Sequence, residues 1–372
     1  MDVKNLNSAP IPFYKPSLPP LQDYTKLLEQ IWESRMLSNF SKFAQELEKL
    51  ASEYLAVPHV RAVVSGDIGL IIALKALDLP DGSPCFISDF TFNSTINAAL
   101  WAGLKPVIVD IDRETFNLAP EALAGAMQKQ NKRGVILATH VFGNPAEVDS
   151  LQTLAREQDS YLVFDSAHAL GSRVKEKAVG GFGDAEIFSL SGTKIVTSAE
   201  GGLITTPHKW LADKISYLRA YGFQNDYNSR YVGINGKISE LHCAMAILSL
   251  KQIEQAIGRR QQIVTLYQSR LKDHVGWQKV RPVDRSTYKD VSIVLGNSRE
   301  AVEKVLHEDH VQTKRYFLPL HYMKPYQQFS EGRYPVTEEV YQSTLCIPAY
   351  ADLSVNDVDR ISTRIIQGME TP

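Results

Sequence analysis

Tyr161-Leu162-Val163-Phe164-Asp165-Ser166-Ala167-His168-Ala169-Leu170-Gly171 opens with an unbroken apolar run and closes it on a carboxylate. Such a short run without polar alternation predicts a strand covered on both faces, as in a parallel sheet flanked by helices. Residues 135–139 read the same way, and the amphipathic stretch 148–157 between the two supplies a crossover helix. The unit recurs upstream, with strands over 60–64, 85–87 and 106–109 followed by helices over 69–77, 93–101 and 120–127. Downstream, strands are expected over 185–189 and 202–205, and a helix over 211–220. Alternating strands and helices joined by short turns predict an α/β fold: a mixed, mostly parallel sheet with helices on both faces.

The flanks differ. Pro10, Pro12, Pro16, Pro19 and Pro20 mark an extended N-terminal arm, followed by helical patterning over 23–36 and 43–55. Beyond about residue 240 one long helix is expected over 240–260 or further, then an α+β remainder with a strand over 289–294. The expected division is therefore 1–240, the arm and large domain, and 241–372, a smaller C-terminal domain, in line with the length of 372 residues.

Composition narrows the function classes. The chain is 44% hydrophobic and 22% charged with a formal charge of −2, which lacks the basic excess that binding to nucleic acid demands. The densest basic clusters, 129–133 and Arg259-Arg260, are short enough to be solvated faces. Cys85, Cys243 and Cys346 are distant from one another and show no zinc-type spacing, so no metal is expected and a reduced, cytoplasmic setting fits best. The Pro-rich opening lacks the apolar core of a signal peptide, and no stretch reaches the roughly 18 apolar residues of a membrane span.

Asp165 should emerge at the carboxyl end of its strand, where open α/β sheets bind ligands. Taken alone it reads equally well as the cap of the next turn. Lys194 follows Phe188-Ser189-Leu190-Ser191-Gly192-Thr193 and precedes Glu200-Gly201-Gly202. A lone lysine in a loop is commonly exposed. Together the two match one chemistry, a lysine that condenses with the aldehyde of pyridoxal phosphate and a buried carboxylate that keeps its pyridine nitrogen protonated. Free lysine is nucleophilic in only about one molecule in a thousand at neutral pH, so Lys194 needs an apolar or positively poised pocket. Val63-Val64-Ser65-Gly66-Asp67-Ile68 supplies a strand, a turn and a helix start of the kind that holds a phosphate, without the ending of a P-loop. Gly180-Gly181-Phe182-Gly183 has no helix after it and reads as a tight turn. Phe90-Thr91-Phe92 follows another strand and offers an aromatic face for a planar ring.

These segments in this order resemble the sugar-nucleotide aminotransferases of the DegT/DnrJ type, which have the fold-type I architecture of pyridoxal phosphate enzymes. Further landmarks of the resemblance are Leu37-Ser38-Asn39, Asp110-Ile111-Asp112, His140-Val141-Phe142-Gly143, Gly233-Ile234-Asn235-Gly236-Lys237 and Tyr316-Phe317-Leu318-Pro319-Leu320-His321. The resemblance implies that Lys194 carries pyridoxal 5'-phosphate, Asp165 binds the pyridine nitrogen, and Phe92 stacks on the ring. It also places Gly66, Asp67 and Ser189 at the phosphate, with Asn235 supplied by the neighbouring subunit, so that a homodimer shares its active sites. Ser38, Tyr316 and His321 fall where the family lines its sugar pocket. Two positions depart from the common pattern. Asp67 stands where Thr or Ser is usual, so its side chain is expected to turn away by capping its own helix. His168 stands where Gln is frequent, and can still donate an N–H to the cofactor's phenolic oxygen.

A branch of the family that dehydrates sugars has histidine in place of the lysine, and Lys194 excludes it. The resemblance is strongest to enzymes that use L-glutamate to aminate C-4 of a nucleotide-linked 4-keto-6-deoxyhexose. C-3 amination, amination of a keto-cyclitol and a catalytically silent binding or regulatory subunit are the alternatives.

Overall fold

The computed structural model describes residues 9–223 and 226–370; the first eight residues of the expected arm lie outside them. Among the described residues twelve strands are present: β1 (His59–Val63), β2 (Pro84–Ser88), β3 (Lys105–Val109), β4 (Val135–Thr139), β5 (Tyr161–Asp165), β6 (Arg173–Val174), β7 (Lys177–Ala178), β8 (Ala185–Ser189), β9 (Gly202–Thr206), β10 (Gly276–Trp277), β11 (Val291–Val294) and β12 (Thr344–Ile347). Seven of them form the main sheet in the order β1-β9-β8-β5-β4-β2-β3. β9 alone runs against its neighbours; the other pairs are parallel. All carboxyl ends of the other six strands therefore point to one edge of the sheet.

The unbroken apolar runs are explained by the period-2 geometry of a strand. In β4, Val135 and Leu137 face the core built by the helices Gly66–Ala76, Asn93–Trp101 and Lys209–Leu218. Ile136 and Ala138 face the opposite core, built by Lys42–Leu55, Pro120–Gln130, Val148–Glu157 and Glu240–Lys251. β5 divides in the same way, with Val163 on the first side and Leu162 and Phe164 on the second.

The expected long helix is two helices, Glu240–Lys251 and Ile253–Arg270, joined at Gln252. The first packs Cys243, Ala244 and Ile247 into the large core, while Ile263, Val264 and Tyr267 of the second belong to the core around the β10-β11-β12 sheet. Ile253 and Ile257, just past the break, still belong to the large core, so the change of core falls one to two turns beyond Gln252. Ile11 of the proline-rich arm also packs into that C-terminal core and exchanges backbone hydrogen bonds with His310 and Gln312. The arm thus ties the start of the chain to its last third. The three cysteines are buried and unpaired. No helix among the described residues is long and apolar enough to cross a membrane.

Candidate active site

The carboxyl ends of β2, β4, β5 and β8, with the turn after β1, open onto one cavity of about 390 Å³. Asp165, the last residue of β5, is 4% exposed. Its Oδ2 accepts a hydrogen bond from Thr95 Oγ1 (2.7 Å) and its Oδ1 one from the Ala167 N–H (3.1 Å). Thr95 is in turn 2.9 Å from Thr91, and Thr91 is 2.8 Å from Thr139 at the end of β4. This hydroxyl chain crosses two neighbouring strand ends and fixes the carboxylate plane. Burial raises the Asp165 pKa, opposed by the Thr95 and Ala167 hydrogen bonds and by Lys194. Behind Asp165, Glu186 of β8 accepts from Ser166 Oγ and from the N–H groups of Gly180 and Phe182, pinning the loop that follows β5.

Lys194 lies in the turn Ser191–Lys194 of the loop between β8 and β9, where its N–H donates to the Ser191 carbonyl at 2.9 Å. Burial lowers its pKa to about 8; Lys289 pushes in the same direction, and Asp290, Asp165 and Asp67 oppose. About one amine in ten is then free at pH 7, against about one in a thousand for an unperturbed lysine. His168 has its pKa held well below the ordinary range by burial, with Lys194 and Lys289 adding to the effect, so its ring is neutral. Its buried Nδ1 has no hydrogen-bond partner within the protein.

The helix Gly66–Ala76 starts at the same cavity. Ser65 is its N-cap, with Oγ accepting from the Ile68 N–H at 3.2 Å, so the N–H groups of Gly66 and Asp67 have no acceptor within the helix. This corrects the expected role of Asp67: Ser65 makes the cap, and Asp67 lines the cavity, close enough to act on both Asp165 and Lys194. The turn is held by close approach. A Cβ on Gly66 would meet the Ser189 Cβ at 3.1 Å, and one on Gly202 would meet the Ser65 carbonyl carbon at 2.8 Å. Gly202→Ala is therefore expected to lower stability by about 1–3 kcal/mol, the usual cost of overpacking. Urea unfolding checks this, with Gly125→Ala as control because nothing lies within 4 Å of a Cβ there.

Eight of the sequence-predicted residues line this one cavity: Gly66, Asp67, Phe92, Asp165, His168, Ser189, Lys194 and Tyr316. Phe92 stands at its rim, 55% exposed, with its ring 6.4 Å from that of Phe317. Ser38, Asn235 and His321 lie outside the lining. Asn235 is exposed on a segment tied by a backbone bridge to Ala220. His321 is turned into the fold: its N–H donates to Asp89 Oδ1 (3.0 Å), its Nδ1 lies 2.5 Å from Asp89 Oδ2, and its Nε2 faces Glu338 at 3.2 Å. The fully buried Asp89 demands those contacts, which is why this histidine anchors the segment that carries Tyr316 and Phe317. Sequence reasoning gave no role to Thr91, Thr139, Phe317 or the Lys289-Asp290 pair, which line the cavity, or to Thr95, which bonds Asp165. Thr95 had a usable signal, being one turn into the helix that follows the Phe92 motif.

Residues 22–366 match the DegT/DnrJ/EryC1/StrS aminotransferase family. The chain is an aminotransferase of that family. This aminotransferase is 31% identical over 375 residues to the dTDP-4-amino-4,6-dideoxy-D-glucose transaminase of Escherichia coli, with 98% of its own chain and 100% of the relative covered. It is 29% identical to the GDP-perosamine synthase of Caulobacter vibrioides, over 90% of its own chain and 92% of the relative. Its fold superposes on the structure of DesI, determined in the presence of its TDP-sugar product, with a TM-score of 0.92 at 28% identity, covering 98% and 94% of the two chains.

The cofactor of the aminotransferase is pyridoxal 5'-phosphate. The residues present suit that group. The buried Asp165 carboxylate would suit a protonated ring nitrogen, the unpartnered Nδ1 of His168 would suit a polar ring substituent, and the Gly66 and Asp67 N–H groups would suit an anion. The cavity is of the size that small cofactors fill.

Proposed function

We propose that the aminotransferase moves the amino group of L-glutamate to the C-4 ketone of a nucleotide-linked 4-keto-6-deoxyhexose, releasing 2-oxoglutarate and then the 4-amino sugar. The observation that carries the reading is the meeting of Lys194 and Asp165 in one cavity, in a chain aligned end to end with a transaminase of a dTDP-4-amino-4,6-dideoxy sugar. Pyridoxal phosphate supplies the aldehyde that takes up the amine and the ring that accepts the electron pair when the donor's Cα proton leaves.

The chain's own residues do the rest. Lys194 Nζ would hold the group covalently at rest and, once displaced by the donor amine, would take the Cα proton and return it to the carbon on the cofactor's side of the nitrogen. A lysine at about pKa 8 suits both directions, since neither its free nor its protonated form is scarce near neutral pH. Asp165 holds the proton on the pyridine nitrogen, with Thr95 and the Ala167 N–H keeping its oxygens in place. The Gly66 and Asp67 N–H groups and Ser189 receive the phosphate, Phe92 covers the ring, and His168 donates to the phenolic oxygen. Asn235 reaches the phosphate of the opposite subunit in a homodimer; its exposure in the single chain supports that role. Tyr316 lies on the sugar side, Ser38 lies outside the lining of this chain's cavity, and His321 contributes by anchoring the Tyr316 segment.

The test is the absorption spectrum of the purified protein with pyridoxal phosphate, before and after L-glutamate. The expected result is a band of covalently held cofactor that glutamate converts to that of the aminated cofactor, and that a 4-keto-6-deoxyhexose nucleotide restores. Restoration by a 3-keto sugar nucleotide or a keto-inositol instead would move the substrate assignment. Absence of any bound band would overturn the reading.

One observation favours the silent-subunit alternative. Asp67 puts a carboxylate at the phosphate end of the cavity, and two unit charges about 4 Å apart repel by about 4 kcal/mol at an effective dielectric of 20, less where solvent screens them. Asp67→Thr is therefore expected to tighten cofactor binding at least about tenfold, equivalent to about 1.4 kcal/mol. Equilibrium titration with pyridoxal phosphate measures it, and unchanged affinity would mean that the carboxylate faces away from the phosphate.

A further inference from the structure

Lys289 and Asp290 come from the opposite end of the chain from the sheet that builds the site, immediately before β11. Their side chains are 7% and 3% exposed and form an ion pair of 2.8 Å. Both line the cavity that holds Lys194 and Asp165. Their backbone is clamped: the Lys289 N–H donates to the Phe142 carbonyl at 2.9 Å, and the buried Arg260 guanidinium donates to the carbonyls of Tyr288 and Lys289 at 2.7 and 2.6 Å. Asp290 Oδ1 receives the Lys289 ammonium, while Oδ2 is buried without a partner. A buried ion pair is a weak source of stability, and an unsatisfied carboxylate oxygen makes it weaker. The arrangement has an electrostatic consequence in the cavity, where a fixed dipole faces the reactive amine at low dielectric.

We propose that the Lys289–Asp290 pair is a positioning device for Lys194, its ammonium keeping the Nζ amine free and its unpartnered Asp290 oxygen receiving that amine whenever it carries a proton. Lys289 and Asp290 are the two strongest charged influences on Lys194, and they act in opposite directions. The other charged groups that share the cavity are Asp165 after β5, Asp67 on the first helical turn after β1, and Glu200 before β9. His168 is neutral, and Lys15 and Arg260 approach Lys194 only through a smaller pocket on its far side. Neither member of the pair needs to touch substrate. Both act through the amine that does.

The inference rests on Lys194 being the residue that carries the cofactor, and its test separates the two readings. The apoprotein is pulse-labelled with acetic anhydride across a pH series, and the acetylation of the Lys194 peptide is read by mass spectrometry, so no bound cofactor is required. Wild-type labelling should rise with a midpoint near pH 8, above which the amine is free. Lys289→Gln removes a cation and should move the midpoint up by about one unit; Asp290→Asn removes an anion and should move it down; the double variant, neutral overall, should fall between them. A purely structural role would alter labelling in the same direction in both single variants. If Asp290→Asn fails to fold because Lys289 is left buried and unpaired, Lys289→Gln and the double variant still decide the matter. An unmoved midpoint in Lys289→Gln, or shifts of the same sign in both single variants, overturns the proposal. Failure of the cofactor assignment would show separately, as apoprotein that takes up no pyridoxal phosphate.

Discussion

Lys194→Ala is expected to lower amino transfer by at least about 10³-fold and to remove the absorption band of covalently held cofactor. General acid–base catalysis alone is worth about 10²–10⁴, and the substitution removes the covalent attachment as well. The loss should be chemical and not structural. Lys194 sits in a turn held by a backbone hydrogen bond to Ser191, and its side chain lines the cavity. Single-turnover measurement with L-glutamate is the direct readout, and a Lys194→Ala protein with undiminished transfer would remove Lys194 from the mechanism. Adding a small primary amine should restore part of the proton transfer, because the cavity left by the missing stem faces open space.

Asp165→Asn should be nearly as damaging, with turnover down by about 10²–10³-fold, the range seen when one preorganised electrostatic contact at a developing charge is removed. The shape change is small. Asparagine keeps an acceptor for the Ala167 N–H, and the Thr95 hydroxyl can turn to accept from the new amide, since Thr91 lies next to it. Burial already works against the ionised carboxylate, and only the hydrogen bonds and Lys194 oppose that effect. The carboxylate is thus stabilised most when a cationic ring nitrogen completes its surroundings, which couples cofactor binding to its ionisation. The rate at which glutamate changes the cofactor spectrum measures the effect, and a variant within tenfold of wild type would place the control of the ring nitrogen elsewhere.

The distribution of what was readable follows the range of the forces involved. The apolar runs of β4 and β5 could be assigned from sequence because every residue in them is buried, by one face or the other, and a run without polar alternation has few other interpretations. Asp165 was legible for the same reason, being the last residue of such a run, whereas Ser189, at the end of a strand that contains Glu186, was reached only through the family resemblance. Lys194 was legible through its neighbours and through its pairing with Asp165. The long helix over 240–260 misled because both of its halves are helical and apolar, and the break at Gln252 leaves no mark in that pattern.

What the sequence by itself determined is the α/β class, the strand ends that meet at the cavity, and the family of amino-transfer enzymes to which those motifs belong. Only the tertiary structure decided which distant residues complete the site. Thr95 reaches Asp165 across 70 positions, and His321 turns to Asp89 across 232. Asp67 leaves the helix cap to Ser65, and Lys289 and Asp290 arrive from the C-terminal third to face Lys194. Strand and helix patterns are written by local burial with a fixed period, so they can be read from a window of a few residues. The protonation of a buried amine is set by desolvation and by charges several ångströms away in space, and sequence separation carries no information about either.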